Sequence, residues 1–175
     1  MSATVFYLTA AVAIVSTALV IFSRNAVHAL LYLIVSLLAV AVIFYQYGAP
    51  FAAALEVIVY AGAIMVLMIF VIMMLNQGDA AVNQEKEWLQ PRGWLGPALL
   101  SGILLAQLML LLPAGQVETT QAAHYVGPKE VGLALFSRYI IAVELASMLL
   151  LAGLVGAFHL ARHRSAEAKE VRHAD

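Results

Sequence analysis

The sequence predicts an all-α integral membrane protein of five transmembrane helices, and three observations carry that prediction. Hydrophobic residues make up 64% of the 175 residues and charged residues 11%, against roughly 25% charged in an average soluble domain. Mean hydropathy is +0.95. Apolar runs at 3–22, 27–46, 52–75, 94–112 and 138–160 each approach the roughly 20 residues that cross a hydrocarbon core of about 30 Å.

The first run is free of charge from residue 3 to residue 22, and "SRN" at 23–25 ends it. No positively charged stretch precedes it, so we expect a retained helix rather than a cleaved signal peptide. No Asp, Glu, Lys or Arg then occurs until Glu56, which is too long for one crossing. "QYGAP" at 46–50 divides it: Gly48 frees the backbone and Pro50 lacks the donor that a continuing helix needs. Helix two is therefore expected at 27–46 and helix three at 52–75.

The segment 76–93 collects most of the mid-chain charge and reads as an exposed loop. Helix four follows at 94–112, with Trp94 as an interfacial anchor and Pro97 tolerated in a first turn. A loop is expected from 113 to about 136, then helix five at 138–160. Residues 1–160 thus form one membrane domain and 161–175 a polar tail. With the C-terminus inside, Arg24, Lys86, Arg92, Arg162, Arg164, Lys169 and Arg172 lie on the inner side, and only Lys129 and Arg138 on the outer. That bias predicts the N-terminus outside and the C-terminus in the cytoplasm.

Composition also excludes functions. A net charge of −1 without a basic stripe sets nucleic acid aside. The absence of cysteine removes thiolate-ligated clusters and cysteine nucleophiles from this chain. His28 sits just inside helix two, where a lone histidine reads as an interfacial hydrogen-bonder, and His124, His159, His163 and His173 are loop or helix-end residues, so no metal is expected. The short loops leave no room for a catalytic domain, and no inverted repeat suggests a free-standing carrier.

What remains are polar groups inside apolar helices. Glu56 lies about 6 Å along helix three, with Tyr60 one α-helical turn later on the same face. A charge at the bilayer centre costs about 2.5–3.5 kcal/mol on insertion scales, so Glu56 needs a partner, an interface or a proton. Structural pairing and a proton relay both answer that need. Gly62 lies about 15 Å into the helix, near the midplane. It either allows close helix approach or permits a π-bulge, which would re-aim flanking side chains such as Val59 and Ala63. Glu144 lies about 9 Å beyond Arg138, at a depth similar to that of Glu56. Ala152 with Gly156 and Gly153 with Ala157 form small-xxx-small pairs that read as a helix-packing surface.

Three segments together resemble one family: "NAVHALLYLIVSLL" at 25–38, "ALEVIVYAGAIMVLMIFVIMMLN" at 54–76 and "GLALFSRYIIAVELASMLLLAGLVGAF" at 132–158. They are similar to the J subunits of bacterial NADH:quinone oxidoreductase, respiratory complex I, whose mitochondrial counterpart is chain 6. Two positions depart from the pattern: Ala26 stands where a proline is expected, and Ala142 stands two residues before Glu144 where many members have proline. The resemblance implies a subunit with no cofactor of its own, in a complex that uses FMN, iron–sulfur clusters, NADH and quinone in other subunits. It further implies a bacterial inner membrane location and neighbours H, A and K, with N as a further neighbour. It also implies that helix three switches near Tyr60 and Gly62 between π-bulged and regular forms, gating a water path that couples quinone reduction to proton pumping. Two other readings compete: a purely structural scaffold in the same complex, and a subunit of a related cation/proton antiporter or membrane-bound hydrogenase.

Overall fold

The computed structural model describes residues 3–23, 25–75, 91–111 and 126–173, all helical apart from short turns. In chain order these are α1 (Ala3–Phe22), α2 (Ala26–Gln46), α3 (Pro50–Leu55), a π-helical segment π1 (Glu56–Ile64), α4 (Met65–Leu75), α5 (Pro91–Leu111), α6 (Pro128–Ser137) and α7 (Ile140–His173). Among the described residues four helical stretches are long and apolar enough to cross a membrane: Ala3–Phe22, Ala26–Gln46, Pro50–Met74 and Ile140–Arg162; Trp94–Leu110 is a shorter apolar helix. Helices suit such apolar runs because they satisfy every backbone polar group within the segment. Arg24, Lys86, His124 and most of the expected loops, 76–90 and 113–125, lie outside the described residues.

The chain divides into two units, Met1–Gly127 and Pro128–Asp175. In the first, α2 is central and packs against α1, α3, π1, α4 and α5, while α1 also touches α5. Val12, Val35, Ala39 and Leu104 form its core, flanked by Ala13, Leu38, Leu100 and Ile103. α1 and α2 run antiparallel. Thr17 Oγ1 and Ser36 Oγ share a hydrogen bond of 2.8 Å, Gln46 Nε2 donates to Thr9 Oγ1 at 3.1 Å, and Phe6 meets Tyr47 edge-on at 5.8 Å.

Local signals explain the boundaries. Asn25 caps α2, its side-chain oxygen accepting from the Val27 N–H at 2.9 Å, so Ala26 begins the helix without the proline. At the other end Gly48 takes φ 79°. There the Ala49 N–H bonds Phe44 O at 3.1 Å and the Gly48 N–H bonds Tyr45 O at 3.2 Å, the Schellman arrangement that a left-handed residue closes. The next helix starts at Pro50 rather than at 52, because proline's fixed φ suits the first helical position.

The same preference starts α5 at Pro91, three residues before the expected 94. Pro128, with Glu130 in the first turn, starts α6 inside the stretch expected as a loop. The expected polar tail is likewise helical to His173. Residues 157–173 contain neither glycine nor proline and are rich in Ala, Arg, Glu and Lys, which carry helix beyond the apolar part. Ala142 lies inside α7 without breaking it.

Gly96 sets the approach of α5 to α2: a Cβ there would overlap the Tyr32 hydroxyl. Gly96→Ala is expected to destabilise the subunit by about 1–3 kcal/mol, the usual range for overpacking. Adding Tyr32→Phe should relieve part of that loss, read as the thermal midpoint of the purified protein in a double-mutant cycle.

Candidate functional site

The third span is not one regular helix. The Glu56 N–H still donates to Ala52 O, four residues back, whereas the Met65 N–H donates to Tyr60 O, five residues back. Between them the whole of Glu56–Ile64 is π-helical. Such a register is rare and marks functional positions more often than ordinary helix does.

Gly62 is built into this register. A Cβ at Gly62 would lie 3.1 Å from Val57 O, the carbonyl five residues back that a π-helix draws under residue 62. Glycine leaves that space free.

Ala53, Ala61 and Met65 are the buried residues of the span, and they face the side on which α2 packs. Glu56 is half-buried, Tyr60 is 51% exposed and Val59 41%, Ala63 is exposed and Gly62 half-buried. Among the described residues the side chains of Glu56 and Tyr60 have no hydrogen-bond or ionic partner. An acidic and a phenolic group on a membrane span call for a partner or an interface beyond the contacts described, since lipid solvates neither well. Beside the start of π1, a cavity of about 690 Å³ opens between α2, α3 and α5, with Val57, Tyr45, Pro50, Ser101 and Gly102 in its wall.

In the second unit Glu144 is exposed on α7, and the Ser147 hydroxyl donates to its backbone oxygen at 2.7 Å. Ala152, Gly153 and Ala157 are exposed and Gly156 half-buried. A Cβ at Gly153 or Gly156 would meet nothing within 4 Å, so the small residues leave a channel along the helix. No group of three or more His, Cys, Asp or Glu among the described residues could hold a metal.

Sequence reading passed over one polar cluster, Thr9 with Gln46 and Gln107, buried where α1, α2 and α5 meet. Its only signal was three polar residues in apolar runs.

These features define a class: an all-helical, multi-pass membrane protein with polar groups set into its apolar spans. Residues 16–160 match the family of NADH-ubiquinone/plastoquinone oxidoreductase chain 6. The NADH-quinone oxidoreductase subunit J of Pseudomonas aeruginosa is 54% identical over 162 residues, covering 90% of this chain and 95% of the relative. That of Escherichia coli K12 is 52% identical over 161 residues, covering 92% and 87%, and that of Buchnera aphidicola from Schizaphis graminum is 48% identical, covering 91% and 98%. The chain belongs to the chain 6 (subunit J) family of NADH–quinone oxidoreductase.

Proposed function

We propose that this chain is a non-catalytic membrane-arm subunit of a proton-translocating NADH–quinone oxidoreductase, and that π1 is a two-state gate on a water path. The observation that carries the reading is the nine-residue π segment with Gly62 at its i−5 contact. Conversion of π1 to α register changes the helix by one residue, which turns α4 relative to α3 by about 100°. Such a turn would swing Tyr60 and its neighbours toward or away from a facing subunit. The cavity beside Val57 supplies slack for that movement.

In this proposal Tyr60, Gly62, Val59 and Ala63 form the moving element, and Glu56 and Glu144 are supporting polar groups. Subunits H, A and K, and N further out, are the neighbours that cover them. FMN, iron–sulfur clusters, NADH and quinone are handled elsewhere in the complex. The chain sits in the bacterial inner membrane with its N-terminus outside. Proton movement there is worth about 2.3 kcal/mol per charge per 100 mV, so a gate must close tightly to conserve it.

Tyr60→Phe tests the reading with little change of shape. Removing one hydroxyl hydrogen bond, worth about 0.5–1.5 kcal/mol, should lower coupled proton pumping in membrane vesicles roughly two- to tenfold. The amount of assembled complex should not change. Full pumping and a full quinone reductase rate in the variant would instead support the scaffold reading.

A further inference from the structure

We infer that the cavity between α2, α3 and α5 is a binding site for one acyl chain of a zwitterionic membrane phospholipid. The cavity exists because α3 with π1 and α5 both pack chiefly on α2, and small side chains keep the gap between them open. These are Ala53 and Ala54 on one side and Ala98, Ser101 and Gly102 on the other. Each helix contributes one stripe at helical spacing: Leu38 to Tyr45 from α2, Pro50 to Val57 from α3 and π1, and Ala98 to Leu108 from α5. The result is a slot of about 690 Å³ that runs along the helices.

Its length and place match one leaflet. Between Leu38 and Tyr45 the helix rises about 10 Å, and between Ala98 and Leu108 about 15 Å. That is the reach of the chains of one leaflet in a hydrocarbon core of about 30 Å. Tyr32 lies against Gly96, and Thr9 joins Gln46 to Gln107, so α2 and α5 run parallel. Tyr45 and Leu108 therefore share the end beside the Gly48 turn. The slot starts near that membrane surface and stops near the midplane, with Tyr45 at the level where tyrosines meet headgroups.

Charge and size choose the occupant. Among the acidic and basic residue types, α2, α3 and α5 carry only Arg92, in the first turn of α5 at the end away from Tyr45, and Glu56 of π1 is not part of the wall. An uncharged wall offers an anionic headgroup no partner, so it is the chain that is recognised. Water finds too few polar partners there. A neighbouring helix, about 10 Å across with its side chains, needs about 1,200 Å³ over a 15 Å length, well above the volume of the slot. A single acyl chain is thin enough, and it bends to follow unequal side chains. Lipid tails are as apolar as the wall, so transfer from the bilayer brings no hydrophobic gain. What holds the chain is the dispersion contact that an unfilled slot would forfeit. This site goes beyond the gate proposal and does not depend on whether π1 switches.

The assembled complex, reconstituted in nanodiscs of phosphatidylethanolamine with brominated acyl chains, tests this. The expected map shows an unbranched density running from Tyr45 toward Val57, with bromine signal beside Gly102. Gly102→Leu should abolish both, because a Cβ at Gly102 meets nothing within 4 Å and the new side chain enters the slot without a clash. Ala98→Leu serves the same purpose if Gly102→Leu does not assemble. Ala11→Leu, at an exposed position of α1 outside the slot, should leave the density unchanged. Several results overturn the proposal: a protein helix seated in the slot, an empty slot, the branched density of an isoprenoid chain, or bromine signal that survives the slot-filling variant or vanishes in Ala11→Leu. A stronger signal with brominated phosphatidylglycerol would likewise overturn it, since the headgroup would then be what is recognised.

Discussion

Gly62→Leu is expected to lower coupled quinone reduction and proton pumping together by one to two orders of magnitude while the complex still assembles. The direction follows from where the new atoms fall. A Cβ at residue 62 lies 3.1 Å from Val57 O, tighter than an ordinary van der Waals contact. Val57 O occupies that place because π register brings the carbonyl five residues back beneath residue 62. We expect relaxation to α register to relieve this contact, so that the bulk of leucine weighs more on the π state than on the α state. Overpacking of this kind costs about 1–3 kcal/mol. Applied to one state of a two-state element, it shifts the population by about 5–150-fold. Gly62→Ala should lie between native and leucine, since it carries the clash but not the bulk. Val66→Leu, one methylene larger at an exposed position of α4, should have no such effect. Rates are to be normalised to the amount of subunit in the purified complex, and the register of 56–64 read from its map. An unchanged rate with π register intact in Gly62→Leu would reject the gate.

How legible this was in the sequence differed sharply between features. The break at 46–50 could be read because Gly48 and Pro50 have turn chemistry of their own. The α6 helix was missed although its signals, Pro128 and Glu130, are of the same kind; ten residues with a mixed composition resemble a loop when periodicity is the guide. The helical tail was missed because polarity was taken to end the helix with the membrane, whereas Ala, Glu, Lys and Arg propagate helix in water. Gly62 marked where a bulge could form, but not that π register would run from Glu56 to Ile64. α and π forms differ by one hydrogen-bond step, and nearly every residue type adopts both. Thr9 and Gln107 are 98 residues apart. Only the packing of three helices shows that they meet, so no local pattern could have revealed their cluster.

Large side chains on the small-residue face of α7 should have the other major effect, and its sign separates two roles for the glycines. In isolation an exposed helix gains from losing glycine: Gly→Ala is worth about 0.8–1.0 kcal/mol in helix propensity. A Cβ at Gly153 or Gly156 would meet nothing within 4 Å, so this chain by itself predicts that Gly153→Ala and Gly156→Ala are neutral or stabilising. A partner helix packed into the channel predicts the opposite, because close approach is what small-xxx-small pairs allow. We expect the second outcome. Gly153→Leu with Gly156→Leu should leave the chain inserted in the membrane but reduce its recovery in the purified complex by at least roughly tenfold, the consequence of about 1–3 kcal/mol of overpacking at each site. The alanine variants should lower the temperature at which the subunit dissociates. A rise in that temperature would mean that the glycines serve no neighbour, and that α7 meets lipid along the face of Ala152, Gly153, Gly156 and Ala157.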